Sequence, residues 1–197
     1  MKPEMITLKH GEASIKMPAS ALAQLAMASV FAQVLPPAAN AQMSAPCVVP
    51  AIGEYWLGQG GVNAGFVPQR GEVAAHYLIL GDKDLGELKW GRHQEESKAT
   101  SKWDSKSNTD ALVAAGGHPA ADAARAYTAD GHNDFDLPAV TQLHQVWAHD
   151  LIAKGAYWSS SQRSAYFAFY VYFVDGIQDT HDKGYELRVR PVRRFFI

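Results

Sequence analysis

The chain has 197 residues, of which 47% are hydrophobic and 19% are charged, and its formal net charge is -2. This length and composition argue against wholesale disorder and fit one domain with an elaborated N-terminus, or one and a half domains. The slightly negative charge argues against nucleic acid as the main partner, and the single cysteine, Cys47, excludes an internal disulfide and a cysteine-rich zinc site.

Residues 1–45 are predicted to form a hairpin followed by a helix. Two alternating segments, 5–9 and 13–17, flank a His-Gly turn, and an apolar stretch with helical spacing begins at Pro18. A signal peptide cleaved after Ala41 is the alternative, because an apolar run precedes small residues there. The hairpin favours the uncleaved form, since a signal peptide does not place a hairpin before its apolar core.

Residues 46–197 are predicted to form a second domain that begins with two short strands and a glycine-rich connection. The sequence from Gly58 to Gly61 lacks the spacing of a phosphate-binding loop, so it is interpreted as turns with close backbone packing. In the polar stretch that follows, Trp90 and Trp103 are predicted apolar anchors and residues 95–110 an exposed loop.

Three later segments carry helical signals of different strength. A single helical turn is predicted over 110–115, and 120–127 is either a short helix or the approach to a strand. A clearer helix begins at Pro138 as its first residue, with an apolar face made by Val140, Leu143, Val146, Trp147 and Leu151.

The last segment, 156–197, is the most informative part of the chain. Residues 165–177 are dense in aromatic and β-branched residues, which predict a strand that ends in an Asp-Gly turn. Side chains alternate along a strand, so some of these aromatics must face water. Large exposed aromatics indicate a partner.

The pattern YWSSSQ…SA…AF…F…G.Q….K……RVRPVRRF in this segment resembles the frame of fixed residues in the variable proteins of diversity-generating retroelements. The helix after Asp134 is similar to the one that precedes this motif in such lectin-like domains. In this family, adenine-directed mutagenesis rewrites chosen positions, usually at AAC codons, so that only residues encoded by NNC can appear. From Tyr166 to Leu187 only Gln178, Lys183 and Glu186 fall outside that set.

The resemblance implies an α+β, C-type-lectin-like fold related to the formylglycine-generating enzyme, with short antiparallel strands, two or so helices and much irregular loop. It also implies a variable region over about 157–195 that binds a protein or glycan ligand on a cell surface. We call the predicted contact residues the variable-surface residues: Tyr166, Phe167, Tyr170, Tyr172, Val174, Ile177, Asp179, Thr180, His181, Asp182 and Tyr185. Trp158, Phe169, Phe173, Gly176 and Phe195 are predicted to belong to the fixed frame instead.

The resemblance implies a location on a virion or cell surface, as a receptor-binding protein of a phage or prophage or as a bacterial adhesin. The N-terminal hairpin and helix would attach it to a larger assembly or to sister subunits. The alternatives are a structural virion or surface protein with one fixed partner, and an enzyme of the formylglycine-generating type.

Chemistry at a catalytic or metal centre is not expected. Formylglycine-type oxidation needs a cysteine pair, the serine run lacks a GxSxG motif, and no HExxH motif occurs. The sugar-binding calcium triplets of lectins are missing, although Asp179, Asp182 and Glu186 are an alternative oxygen cluster. The chain is therefore predicted to be non-enzymatic, with no cofactor and no metal. The C-terminal arginines are predicted to bind carboxylates and loop carbonyls rather than nucleic acid.

Overall fold

The chain divides into two units, Met1–Val48 and Val49–Ile197. The computed structural model describes residues 5–10, 13–20 and 48–196.

The first unit contains the predicted hairpin. Strands β1 (Met5–His10) and β2 (Ala13–Pro18) pair in antiparallel register. The alternating apolar residues of the two segments favour this pairing. The predicted helix after Pro18 falls almost entirely in the stretch 21–47, outside the described residues, as does Cys47.

The second unit alternates short strands, short helices and long loops. Its elements in chain order are β3 (Tyr55–Trp56), β4 (Gly61–Val67), β5 (His76–Gly81), β6 (Glu87–Lys89), α1 (Ser105–Ala115), α2 (Pro119–Ala126), α3 (Val140–Ala148), β7 (Ala156–Gln162), β8 (Phe167–Tyr172), β9 (Ile177–Asp182), β10 (Glu186–Arg188) and β11 (Val192–Phe196).

The strands of the second unit form two sheets. One has five strands in the order β6-β10-β7-β8-β9, and the other has four in the order β11-β5-β4-β3. Neighbouring strands are antiparallel, apart from β7 and β10, which are parallel. The predicted α+β class with short antiparallel strands is confirmed, and the arrangement is compatible with a C-type-lectin-like fold.

The five-stranded sheet separates two hydrophobic cores, because successive residues of β7 and β8 point to opposite sides. Tyr157 and Val171 enter a core shared with α3 and the four-stranded sheet. Trp158 and Ala168 enter a second core shared with α1, α2 and Trp90. The predicted frame residues fit this arrangement: Trp158, Phe169 and Phe173 are buried.

Helix α1 is longer than the sequence indicated. It begins at Ser105, within the predicted loop, where Asp104 caps it by accepting a hydrogen bond from the Ser107 amide at 3.1 Å. Its buried side includes Asn108 and Thr109, which are satisfied by hydrogen bonds to residues outside the helix. These polar residues on the buried side hide the hydrophobic period that would have predicted a helix.

The other two helices, α2 and α3, can be compared with the predictions for residues 120–127 and for the helix at Pro138. Residues 119–126 are helical, which settles the choice left open between helix and strand. Helix α3 begins at Val140 and not at Pro138, because Ala139 is extended and its backbone amide donates a hydrogen bond to Gln142 Oε1. Its predicted apolar face is confirmed.

Of the two predicted tryptophan anchors, only Trp90 is buried. Its indole Nε1 donates to the Ser159 carbonyl at 2.7 Å in the second core. Trp103 is 40% exposed, and the Arg70 guanidinium lies 4.1 Å from the centre of its ring. The prediction for Trp103 is therefore wrong: it lies on the surface, covered in part by an arginine.

The glycine-rich connection before β4 packs closely, as predicted. A Cβ atom on Gly61 would overlap the Leu80 carbonyl, and one on Gly60 would lie 2.8 Å from the Ala129 carbonyl oxygen. Gly60 also has a positive φ of 78°, which favours glycine. None of the helices within the described ranges has the length and apolar character needed to cross a lipid bilayer.

Candidate ligand-binding surface

The serine run of β7 holds backbone segments together. Ser159 Oγ donates to the Phe169 carbonyl and Ser161 Oγ to the Ser101 carbonyl, both at 2.8 Å. Ser160 Oγ accepts a hydrogen bond from the side-chain Nδ2 of Asn108 at 3.1 Å. All three serines are buried, and the predicted role of bonding backbone is confirmed for Ser159 and Ser161.

Lys183 connects the segment after β9 to the loop after β6. Its fully buried Nζ donates to the Glu95 carbonyl at 2.7 Å and to Gln162 Oε1 at 2.6 Å, and it lies 4.8 Å from the centre of the Trp90 ring. Gln162 Oε1 also accepts from the Ser97 amide. Burial lowers the pKa of Lys183 to about 8.

This lowered pKa predicts how stability depends on pH. The unfolded chain, with a lysine pKa of about 10.4, binds more protons than the folded chain between about pH 8 and pH 10. The contribution of Lys183 to the free energy of unfolding therefore rises with pH across this window, by about 2 kcal/mol in total. Urea unfolding at about pH 8 and at about pH 10 should show that the free energy of unfolding of the wild type rises with pH relative to that of Lys183→Met. A difference between the two proteins that stays constant with pH would contradict it.

The C-terminal arginines form the predicted contacts with acidic side chains and carbonyls. Arg193 binds Asp134 and donates to Gln59 Oε1 at 2.7 Å. Arg194 binds Asp104, the cap of α1, and Arg190 donates to the Gly81 carbonyl. These contacts join the C-terminal strand to segments that are distant in the sequence, which is the role predicted for these arginines.

None of the variable-surface residues is buried, although Tyr170 packs against the second core. Six of them are between 41% and 62% exposed, namely Tyr166, Phe167, Tyr172, Val174, Ile177 and Tyr185. Asp179 is also exposed, and the remaining four are half-buried. The residues predicted to vary thus lie at accessible or half-buried positions of the β8–β9 hairpin and the segment that follows it.

These residues do not share one face. In the β8–β9 register Tyr170 lies opposite Asp179 and Tyr172 opposite Ile177, so these side chains point to one side of the sheet. Phe169 lies opposite Thr180 on the other side, towards the core shared with α3. Since β9 is the edge strand, the variable surface wraps around an edge instead of covering one face.

An aromatic cluster lies at the centre of the first side. The rings of His181 and Tyr185 have centroids 3.9 Å apart, and Tyr170 lies 6.2 Å from His181. Buried Trp158 supports the cluster from below, at 6.3 Å from Tyr170. Burial and the nearby Asp179 raise the pKa of the Tyr170 hydroxyl, which keeps it a hydrogen-bond donor.

His93 lies beside the open end of the β8–β9 hairpin, opposite the turn that joins the two strands. Its Nε2 lies 2.8 Å from Asp182 Oδ2, and its ring packs edge-on against Tyr166 at 5.2 Å. Tyr166 also contacts Phe167. Sequence reasoning missed His93, since it lies in a loop far from the variable region in the chain and no motif connects the two.

The hairpin tip is fixed by Gly176. Its φ of 74° favours glycine, and a Cβ atom there would overlap the Trp147 indole of α3. The predicted turn is confirmed, and the exposed Val174 and Ile177 flank it. The turn therefore depends on Gly176, whereas the exposed side chains of Val174 and Ile177 extend away from the core.

The alternative oxygen cluster of Asp179, Asp182 and Glu186 is not assembled. Asp179 and Asp182 are directed to opposite sides of the sheet, and Asp182 binds His93. Over residues 5–10, 13–20 and 48–196, no three His, Cys, Asp or Glu side chains are grouped as metal ligands.

Comparison of the sequence with protein-family models and with curated proteins finds no match for this chain.

Proposed function

We propose that this chain is a ligand-binding protein whose contact surface is rewritten by a diversity-generating retroelement. One observation carries the proposal: none of the variable-surface residues is buried, whereas the predicted frame residues Trp158 and Phe173 are. A scaffold divided in this way can accept new side chains at the hairpin without losing its core packing.

The side chains at the hairpin suit recognition of a surface ligand. Tyrosine and phenylalanine supply large contact area and lose little rotamer entropy on binding, as in antibody contact loops. Asp179, His181 and Asp182 add polar groups that select among ligands. The ligand we propose is a protein or glycan on a cell surface, bound without enzymatic turnover and without a cofactor.

The N-terminal unit supports a role in attachment. Its hairpin, β1 and β2, belongs to a unit separate from the lectin-like domain. We propose that this unit joins the domain to a virion or surface assembly or to sister subunits, so that the variable hairpin is displayed many times.

The DNA around the gene tests the proposal. We expect a second, near-identical copy of the segment that encodes residues 157–195, together with a reverse transcriptase gene. The two copies should differ only where the second copy has adenine, because mutagenesis in this family is directed by adenine. Differences at other template bases, or identical codons from 166 to 187 in sibling strains, would instead support a structural protein with one fixed partner.

A further inference from the structure

The free edge of β9, which faces away from β8, pairs with no other strand among the described residues. All six residues of β9 face β8 in a register without a bulge. Natural proteins protect such edges with lysine, proline, a β-bulge or a covering segment, and β9 contains neither lysine nor proline. A regular edge of this length can therefore accept a further strand.

The hydrogen bonds of the hairpin show which residues of β9 direct their backbone groups to the free edge. The Lys183 amide donates to the Tyr166 carbonyl at 3.1 Å, so this pair, one position beyond the two strands, is hydrogen-bonded. Hydrogen-bonded and non-hydrogen-bonded pairs alternate along an antiparallel ladder. The amide and carbonyl groups of Gln178 and Thr180 therefore point to the free edge. The Thr180 amide fits this assignment, because it donates to the neighbouring Asp179 carboxylate at 2.7 Å.

These main-chain groups would stay constant while the variable surface is rewritten. Gln178 lies outside the set of residues that NNC codons encode, so its amide is retained. At Thr180, proline is the one replacement that would remove the amide. Added strands bind through main-chain hydrogen bonds, whereas alternate side chains provide specificity. The free edge can thus supply affinity to every variant, and the rewritten side chains can select the ligand.

The side chains beside the free edge indicate what a bound strand would carry. Ile177 and Asp179 lie on the side of the sheet that also carries Tyr170 and Tyr172. Ile177 is 55% exposed, and Asp179 is exposed as well. Side chains opposite each other in a ladder lie about 4.5–5.5 Å apart. A strand that matches this chain would therefore place an apolar residue beside Ile177 and a basic residue, two positions away, beside Asp179.

A second copy of the chain matches the free edge less well than a partner protein does. The antiparallel register that pairs Gln178 of one copy with Thr180 of the other would place the two Asp179 carboxylates directly opposite each other. Like charges in this position are destabilising. A glycan lacks the alternating amide and carbonyl groups that the edge of a sheet pairs with.

We infer that β9 binds an extended segment of a protein ligand, which becomes the sixth strand of the five-stranded sheet. This inference rests on the proposed function, because it names the class of ligand that the variable hairpin recognises. The bound segment exchanges main-chain hydrogen bonds with Gln178 and Thr180, and its carbonyl replaces the Asp179 carboxylate as the acceptor for the Thr180 amide.

Panning a phage-displayed library of random decapeptides on the full chain tests this inference. We expect the enriched peptides to carry an apolar residue and a basic residue two positions apart. Synthetic copies of these peptides, methylated at one backbone amide at a time, are then titrated by calorimetry. Methylation should weaken binding at least about tenfold at alternate positions only, because only alternate amides of an added strand face β9.

Thr180→Pro and Thr180→Val are the matched variants of the chain. Proline removes the amide that faces the free edge, whereas valine keeps the amide and removes only the side-chain hydroxyl. We expect the proline variant to bind the enriched peptides at least about tenfold more weakly and the valine variant to bind them within about twofold of the wild type. The methylated peptides test the same contact without any change in the chain, so the result does not depend on the stability of the proline variant.

Four results would overturn the inference. These are that no peptide is enriched, that methylation has no alternating effect, that the proline and valine variants bind the peptides alike, or that the chain self-associates and Thr180→Pro abolishes this self-association. Peptides that need the hairpin aromatics but tolerate Thr180→Pro would overturn the added strand and still support the proposed function. Failure of the proposed function itself would appear separately, in the DNA around the gene.

Discussion

Trp158→Ala is expected to lower the free energy of unfolding by about 3–5 kcal/mol, which is a large part of the stability of a small domain. The indole is fully buried in the core shared with α1 and α2, and its Nε1 donates to the Leu88 carbonyl at 2.9 Å. The substitution leaves a cavity, removes the donor and takes away the support of Tyr170. Chemical denaturation monitored by circular dichroism measures the loss.

Tyr172→Ala is the control for this substitution. Tyr172 is an aromatic residue of the neighbouring strand, but it is 41% exposed, so its removal should change stability by no more than about 0.5 kcal/mol. Equal losses for the two variants would place the aromatics of β8 in the core and would remove the distinction between frame and variable surface.

The sequence predicted those elements whose pattern is local. The pairing of β1 with β2 follows from two segments of alternating apolar residues, and the buried face of α3 follows from apolar residues at helical spacing. The burial of Trp158 and the exposure of Tyr172 followed from the resemblance, which separates fixed from rewritten positions.

The remaining features depend on contacts between distant parts of the chain. The start of α1 was missed because its buried side carries Asn108 and Thr109, whose partners are provided by other segments. Trp103 was placed wrongly because nothing near it in the sequence indicates that Arg70 covers its ring. The wrapping of the variable surface around β9 depends on strand order, which residue types alone do not determine.

The central claim is that the hairpin surface changes freely while the frame does not. Core substitutions cost about 2–5 kcal/mol each, and a domain has only about 5–15 kcal/mol of stability, so several random core changes together unfold it. Exposed positions cost little, so simultaneous changes there should be tolerated. Binding to a new target should then depend on two or three aromatic side chains worth about 2 kcal/mol or more each.

The most direct measurement compares two displayed libraries by the fraction of members that resist proteolysis. One library randomises the codons of the variable-surface residues to NNC, and the other randomises as many buried codons, including those of Trp158, Phe169 and Val171. We predict that most members of the first library fold, that few of the second do, and that only the first yields binders to a chosen target such as lysozyme. Equal folded fractions in the two libraries would contradict the claim.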